Sequence, residues 1–213
     1  MARPAGTADF SDPRLFKRED EKADRVFYEQ PRLLLHVDEQ TSRALAGWLQ
    51  TTLPPRGDIL DLMSAYASHL PPGPHFRTVV GLGMNTIELR ENPALTSGLI
   101  ADLNARPVLP FRDRAFDVCL LSFSIQYLTK PVPVFAEIAR VLKPGGTLHV
   151  AFSRRLFPTK AVAVWRAGSD QEHARLVALY VLAAGGFALP DFNCPLDGKS
   201  GFDPLYVVSA SKA

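Results

Sequence analysis

Phe116 to Phe123 reads FDVCLLSF, apolar at nearly every position rather than at alternate ones. A strand with one face in water alternates, whereas a strand without alternation needs apolar cover on both faces. That cover comes most simply from helices on either side of a parallel sheet, so the run places the chain among α/β folds. The segments around it agree. Asp58-Ile59-Leu60-Asp61-Leu62, Arg77 to Gly83, Leu99 to Asp102 and Thr147 to Phe152 read as further strands. Between them lie helical patterns: Asp38 to Leu49, a start at Asn85 with Glu88 reaching back as in a capping box, and Val134 to Leu142. Lys143-Pro144-Gly145-Gly146 ends the last of these, with a cation at the negative helix end and glycines for a left-handed turn. Helices at about 160–167 and 172–183 follow, then strands at 187–192 and 205–209. Strand–helix alternation implies a doubly wound, mostly parallel sheet, and two final strands joined only by a loop imply an antiparallel hairpin at one edge.

The 213 residues suit one domain with an N-terminal arm, divided here as 1–37 and 38–213. Pro4, Pro13 and Pro31 punctuate the arm. It is read as loose, with one helical turn around Glu19–Tyr28 and Val26-Phe27-Tyr28 docking on the body; a lid over a ligand crevice is the alternative. Net charge is +2, with no basic stripe, which argues against a nucleic-acid partner. No apolar run approaches the ~20 residues that span a bilayer. The first twenty residues carry no apolar signal core, and the two cysteines, Cys119 and Cys194, read as free thiols, so a cytoplasmic location is expected. No HExxH, paired CxxC, Walker loop or GxSxG is present, and no metal site is expected.

The chemistry concentrates after the first strand. Asp61 ends it, and Ser64-Ala65-Tyr66-Ala67-Ser68 follows as a loop of small residues leading to a short helical segment that Pro71, Pro72 and Pro74 keep short. In open α/β sheets a ligand binds where strands open at their carboxyl ends, and small side chains let the backbone approach it.

Three stretches carry a family resemblance. They are ILDLMSAYASHLP; Leu109-Pro110-Phe111 with Phe116-Asp117-Val118 running on to Ser122, Gln126 and Tyr127-Leu128; and Ala136 to Leu148, AEIARVLKPGGTL. Together they resemble the class I S-adenosylmethionine-dependent methyltransferases, in particular the methyltransferase type 11 domain of small-molecule enzymes, over roughly Gly57 to the C-terminus. The resemblance implies a seven-stranded Rossmann-like sheet with an antiparallel last strand, S-adenosylmethionine as cofactor and a small-molecule substrate. The glycine-rich motif is degenerate: Met63, Ala65 and Ala67 stand where glycines would be. The acid that ends the family's second strand and accepts the ribose hydroxyls falls on Gly83 or Met84, with Asn85 as a neutral substitute.

Transferred residue by residue, the cofactor set is Asp61, Met63, Ser64, Ala65, Gly83, Met84, Asn85, Asp102, Leu103, Asn104, Ser122 and Phe123. Asp61 would orient the methionine end of the cofactor, or simply terminate a strand. Asp102 would accept from the adenine amino group, or cap a turn. Ser64 would bond the cofactor carboxylate or its own backbone. The catalytic candidates are Tyr127, as an aromatic wall or a base, and His69, as a proton acceptor or an ordinary surface histidine. His36 and Tyr28 would close the site or make arm contacts. The implied reaction is in-line methyl transfer by positioning. The alternatives are a non-catalytic binding or partner-recruiting relative and a nicotinamide-dependent oxidoreductase, the latter lacking its GxGxxG. The methyl acceptor and the oligomeric state are not encoded legibly.

Overall fold

The computed structural model describes residues 9–73, 76–199 and 201–213. Pro4 and Pro74, used above as breakers, lie outside the described residues. In chain order the elements are α1 (Asp24–Phe27), α2 (Glu39–Thr52), β1 (Asp58–Ser64), β2 (Thr78–Gly83), α3 (Thr86–Glu91), β3 (Ser97–Ile100), β4 (Phe116–Ser122), α4 (Pro131–Val141), β5 (Leu142–Phe152), α5 (Ala163–Arg166), α6 (Asp170–Ala184), β6 (Asp191–Leu196) and β7 (Leu205–Ser211). They form one seven-stranded sheet of order β3-β2-β1-β4-β5-β7-β6. The first five strands pair in parallel, and β7 is antiparallel to both β5 and β6. The order reverses between β1 and β4, which is where such sheets open a crevice.

β4 is buried on both faces, as its sequence demands. Phe116, Cys119 and Leu121 join one core with α4 and α6, while Val118 and Leu120 join another with Leu45 and Leu49 of α2. Asp38 caps α2, its carboxylate accepting from Thr41 N at 2.8 Å.

The structure departs from the sequence expectations at several places. No helix lies between β1 and β2 among the described residues. Pro71 and Pro72 deny that connection its amide donors, and Leu70 and Phe76 instead pack against the α2-side core as a loop. Lys143 does not serve the α4 terminus. Its amine bridges Asp58 at 2.9 Å and Asp117 at 2.7 Å, and β5 already begins at Leu142. Gly145 is left-handed as expected, at φ 74°, but it and Gly146 lie within that strand, where a Cβ on Gly146 would meet Asp117 O and Lys143 O at 2.9 Å. β3 ends at Ile100, leaving Asp102 in the following turn, and β6 starts at Asp191, with Phe187 making only an isolated bridge to Lys212. Finally, Glu88 does not complete a capping box. Asn85 caps α3 through Ile87 N and Glu88 N, while the Glu88 carboxylate accepts from Arg32 N at 2.6 Å.

The N-terminal segment is a strap rather than a loose arm. Phe10 and Phe16 pack on Tyr180 of α6, and Phe27 packs edge-on to Phe157. Val26, expected to dock, is exposed. From α6 the segment crosses the carboxyl edge of the sheet and enters α2 on the opposite face. Lys17 O accepts from Ala163 N, and Asn85 Nδ2 donates to Tyr28 O and Glu29 O along the way.

Candidate functional site

At the carboxyl ends of β1, β2, β3 and β4 the structure encloses a cavity of about 90 Å³. The strands supply Asp61, Met63, Ser64, Gly83 and Ser122, the turn after β3 supplies Asp102, and the strap supplies Asp24, Tyr28, Arg32 and His36. Of the residues singled out from sequence, Ala65, Met84, Leu103, Asn104, Phe123, Tyr127 and His69 line it as well. Asn85 does not; its side chain is spent on α3 and the strap. Glu88, Asp24, Ser124 and Phe157 belong to the cavity and were not among the transferred residues. Glu88 was hidden because its spacing from Asn85 matches a capping box.

Strain gathers here. Met63, His69 and Phe123 are all in the left-handed region, at φ 55°, 54° and 54°, and all line the cavity. Such backbone costs about 1–3 kcal/mol per residue and persists where surrounding structure enforces it. Met63 shows why a glycine suits this position: it makes a bulge in β1 that places Ser64, rather than Met63, opposite Gly83. The two departures from the family pattern are therefore one. Ser64 O lies 2.2 Å from where a Cβ on Gly83 would sit, so no side chain fits at the end of β2.

Asp61 is fully buried. The hydroxyls of Ser64 and Ser68 each donate to its Oδ2 at 2.6 Å, and Asn92 Nδ2 donates to Ser68 Oγ at 2.9 Å. Burial pushes the carboxyl up to about 6, against the pull of the two serines. Asp102 Oδ1 accepts from Asn104 N and Ala105 N, a turn-capping role that leaves Oδ2 free. Glu88 Oε1 is held by Arg32 N. Asp61 Oδ1, Glu88 Oε2 and Asp102 Oδ2 thus have no partner among the described residues. Asp24 differs: Arg18 and Lys160 hold its Oδ1 at 2.6 and 3.2 Å, and Asn104 Nδ2 its Oδ2 at 2.7 Å.

His69 is not on the surface. It is buried, with Nδ1 2.8 Å from Ser42 Oγ and its ring edge-on to Phe123. Burial, and then His36, pull it down to about 4, so the imidazole is neutral at physiological pH. Tyr127 is unsuited to be a base. Its hydroxyl accepts from Phe157 N at 2.8 Å, its ring stacks on Phe157, and burial pushes it up to about 12. It is an aromatic wall.

Residues 65–150 match the family model described as a methyltransferase domain. Over that stretch the chain is similar to methyltransferase domains. Over 77 residues it is 39% identical to a demethylmenaquinone methyltransferase of Renibacterium salmoninarum, covering 36% of this chain and 31% of that protein. Over 42 residues it is 52% identical to a ubiquinone/menaquinone biosynthesis C-methyltransferase of Ruegeria sp., covering 20% of this chain and 17% of the relative. The chain thus spans under a third of these curated relatives. Among solved structures, a methyltransferase from Aquifex aeolicus superposes with a TM-score of 0.60 at 16% identity, over 83% of this chain and 94% of the other, a likeness of fold.

S-adenosylmethionine is the cofactor that this similarity implies, and the cavity fits its chemistry. The ligand is rich in donors: an ammonium, two ribose hydroxyls and an adenine amino group. The walls offer three partnerless carboxylate oxygens. Ser124 Oγ, buried on the same wall, also has no partner among the described residues. Ala65, Ala67 and Ala101, with their small side chains, are also on the cavity's lining.

Among the described residues, no cluster of three metal-ligating side chains occurs, and no helix is long and apolar enough to cross a membrane. Cys119 and Cys194 are both free.

Proposed function

We propose that the protein transfers a methyl group from S-adenosylmethionine to a small molecule in the cytoplasm. The supporting observation is the row of partnerless carboxylate oxygens on one cavity at the ends of the parallel strands. In this reading Asp61 takes the ammonium of the methionine end, and Asp102 takes the adenine amino group beside Leu103 and Asn104. Bound there, the cofactor supplies a methyl made electrophilic by its sulfonium. The chain's contribution is placement and dryness. Tyr127, Phe157 and Tyr28 wall the cavity against water. His69, kept neutral by burial and paired through Nδ1 with Ser42 Oγ, is a weak proton acceptor, so this reading rests on positioning rather than on a strong base. The strap of residues 24–36 acts as the lid, and residues 38–213 form the domain it closes.

The observation favouring a second reading, a non-catalytic relative that binds a partner, is the loss of the strand-end acid at Gly83. The two readings separate on ligand affinity. Asp61→Ala and Asp102→Ala should each weaken S-adenosylhomocysteine binding in calorimetry while circular dichroism stays native. Unchanged affinity in both would remove the cofactor from this cavity.

A further inference from the structure

The end of β2 has no room for an acid. A Cβ on Gly83 would collide with Ser64 O, a backbone atom fixed by the β1 bulge. A ligand whose hydroxyls face this strand must therefore be read from elsewhere. Asp24 is excluded, since both its oxygens are consumed by Arg18, Lys160 and Asn104. Glu88 remains. It lies in α3, the helix entered directly from β2, and is 5% exposed with its side chain on the cavity. The main-chain N–H of Arg32 fixes Oε1 at 2.6 Å, which leaves Oε2 without a partner among the described residues.

We propose that Glu88, through Oε2, is the acceptor for a ribose hydroxyl of the nucleoside, replacing the acid that Gly83 cannot supply. The assignment rests on the proposal that the cavity takes S-adenosylmethionine. It makes contact with one hydroxyl rather than two, because Oε1 belongs to the strap. It also links ligand to lid: the carboxylate that reads the ribose is the one that holds Arg32, so occupancy of one oxygen bears on the other.

Glu88→Gln tests this with little disturbance, because a glutamine can keep the bond from Arg32 N through its carbonyl and presents a donor where the free acceptor was. Calorimetry is done with S-adenosylhomocysteine and with its analogue lacking both ribose hydroxyls. A charge-assisted hydrogen bond is worth about tenfold or more in affinity. Wild type should bind the dideoxy analogue at least about tenfold more weakly than the parent, and Glu88→Gln should bind the two nearly alike. If Glu88→Gln binds the parent as tightly as wild type does, or if both proteins lose the same factor on removal of the hydroxyls, Glu88 is not the reader. If wild type binds neither compound, the cofactor reading itself fails, and the Glu88 assignment falls with it.

Discussion

Asp61 holds a carboxylate in a fully buried position where two serine hydroxyls are its only described partners. Its folded value of about 6 lies above the ordinary 3.8, so the folded state binds this proton more tightly than the unfolded chain does. Stability from this group is therefore present at low pH and lost as pH rises from about 4 to about 6. Above that window, the ionised side chain costs up to about 3 kcal/mol. Asp61→Asn should raise the thermal midpoint of the ligand-free protein at pH 7, lose that advantage near pH 4, and abolish cofactor binding. A variant destabilised equally at both pH values would contradict the buried-charge account. Gly83 gives a second residue-scale prediction. Gly83→Asp, which restores the family's acid by sequence, should cost about 3 kcal/mol or prevent folding, because the clash is with backbone. Tighter S-adenosylhomocysteine binding in a stably folded Gly83→Asp would show that Ser64 O yields.

Elements were more legible than their tasks. The unbroken run Phe116–Phe123 carries strand information in its own positions, and Asp61 and Asp102 both reach the cavity, although β1 runs on to Ser64 and β3 stops short of Asp102. Lys143 and Glu88 do not, because local spacing offered each a plausible terminus or cap while tertiary partners claimed it. His69 was misplaced for a similar reason: a polar residue in a proline-rich loop gives no sign that Ser42 and Phe123 will bury it. The strap was only half visible, since Phe10 and Phe16 have no periodic neighbours to mark them as packed. It is fastened by Lys160, wholly buried outside any helix, whose amine meets Asp24 at 3.2 Å and Asp20 at 3.3 Å and donates to Lys22 O at 2.7 Å. Removing one partner of a buried ion pair costs about 3–5 kcal/mol. Lys160→Met should accordingly loosen residues 18–36, seen as faster proteolysis there and faster amide exchange, with the sheet still protected. Proteolysis unchanged from wild type would mean that the aromatic contacts of Phe27 suffice to hold the strap.

At the scale of the whole molecule, the sheet order and the α4 and α6 layer follow the methyltransferase pattern, while the other face is thinned. No helix joins β1 to β2 among the described residues, and α2 with Leu70 and Phe76 covers that side. Part of the wall of the cavity at the strand ends is borrowed from the N-terminal strap. Ligand binding should therefore be coupled to strap movement, and affinity should be modest because one ribose contact replaces two. Calorimetry of the wild-type protein against S-adenosylmethionine and S-adenosylhomocysteine tests this most directly. Binding of both in the micromolar range is the expected result. No heat at millimolar ligand would contradict the account and leave the fold as a scaffold for a protein partner.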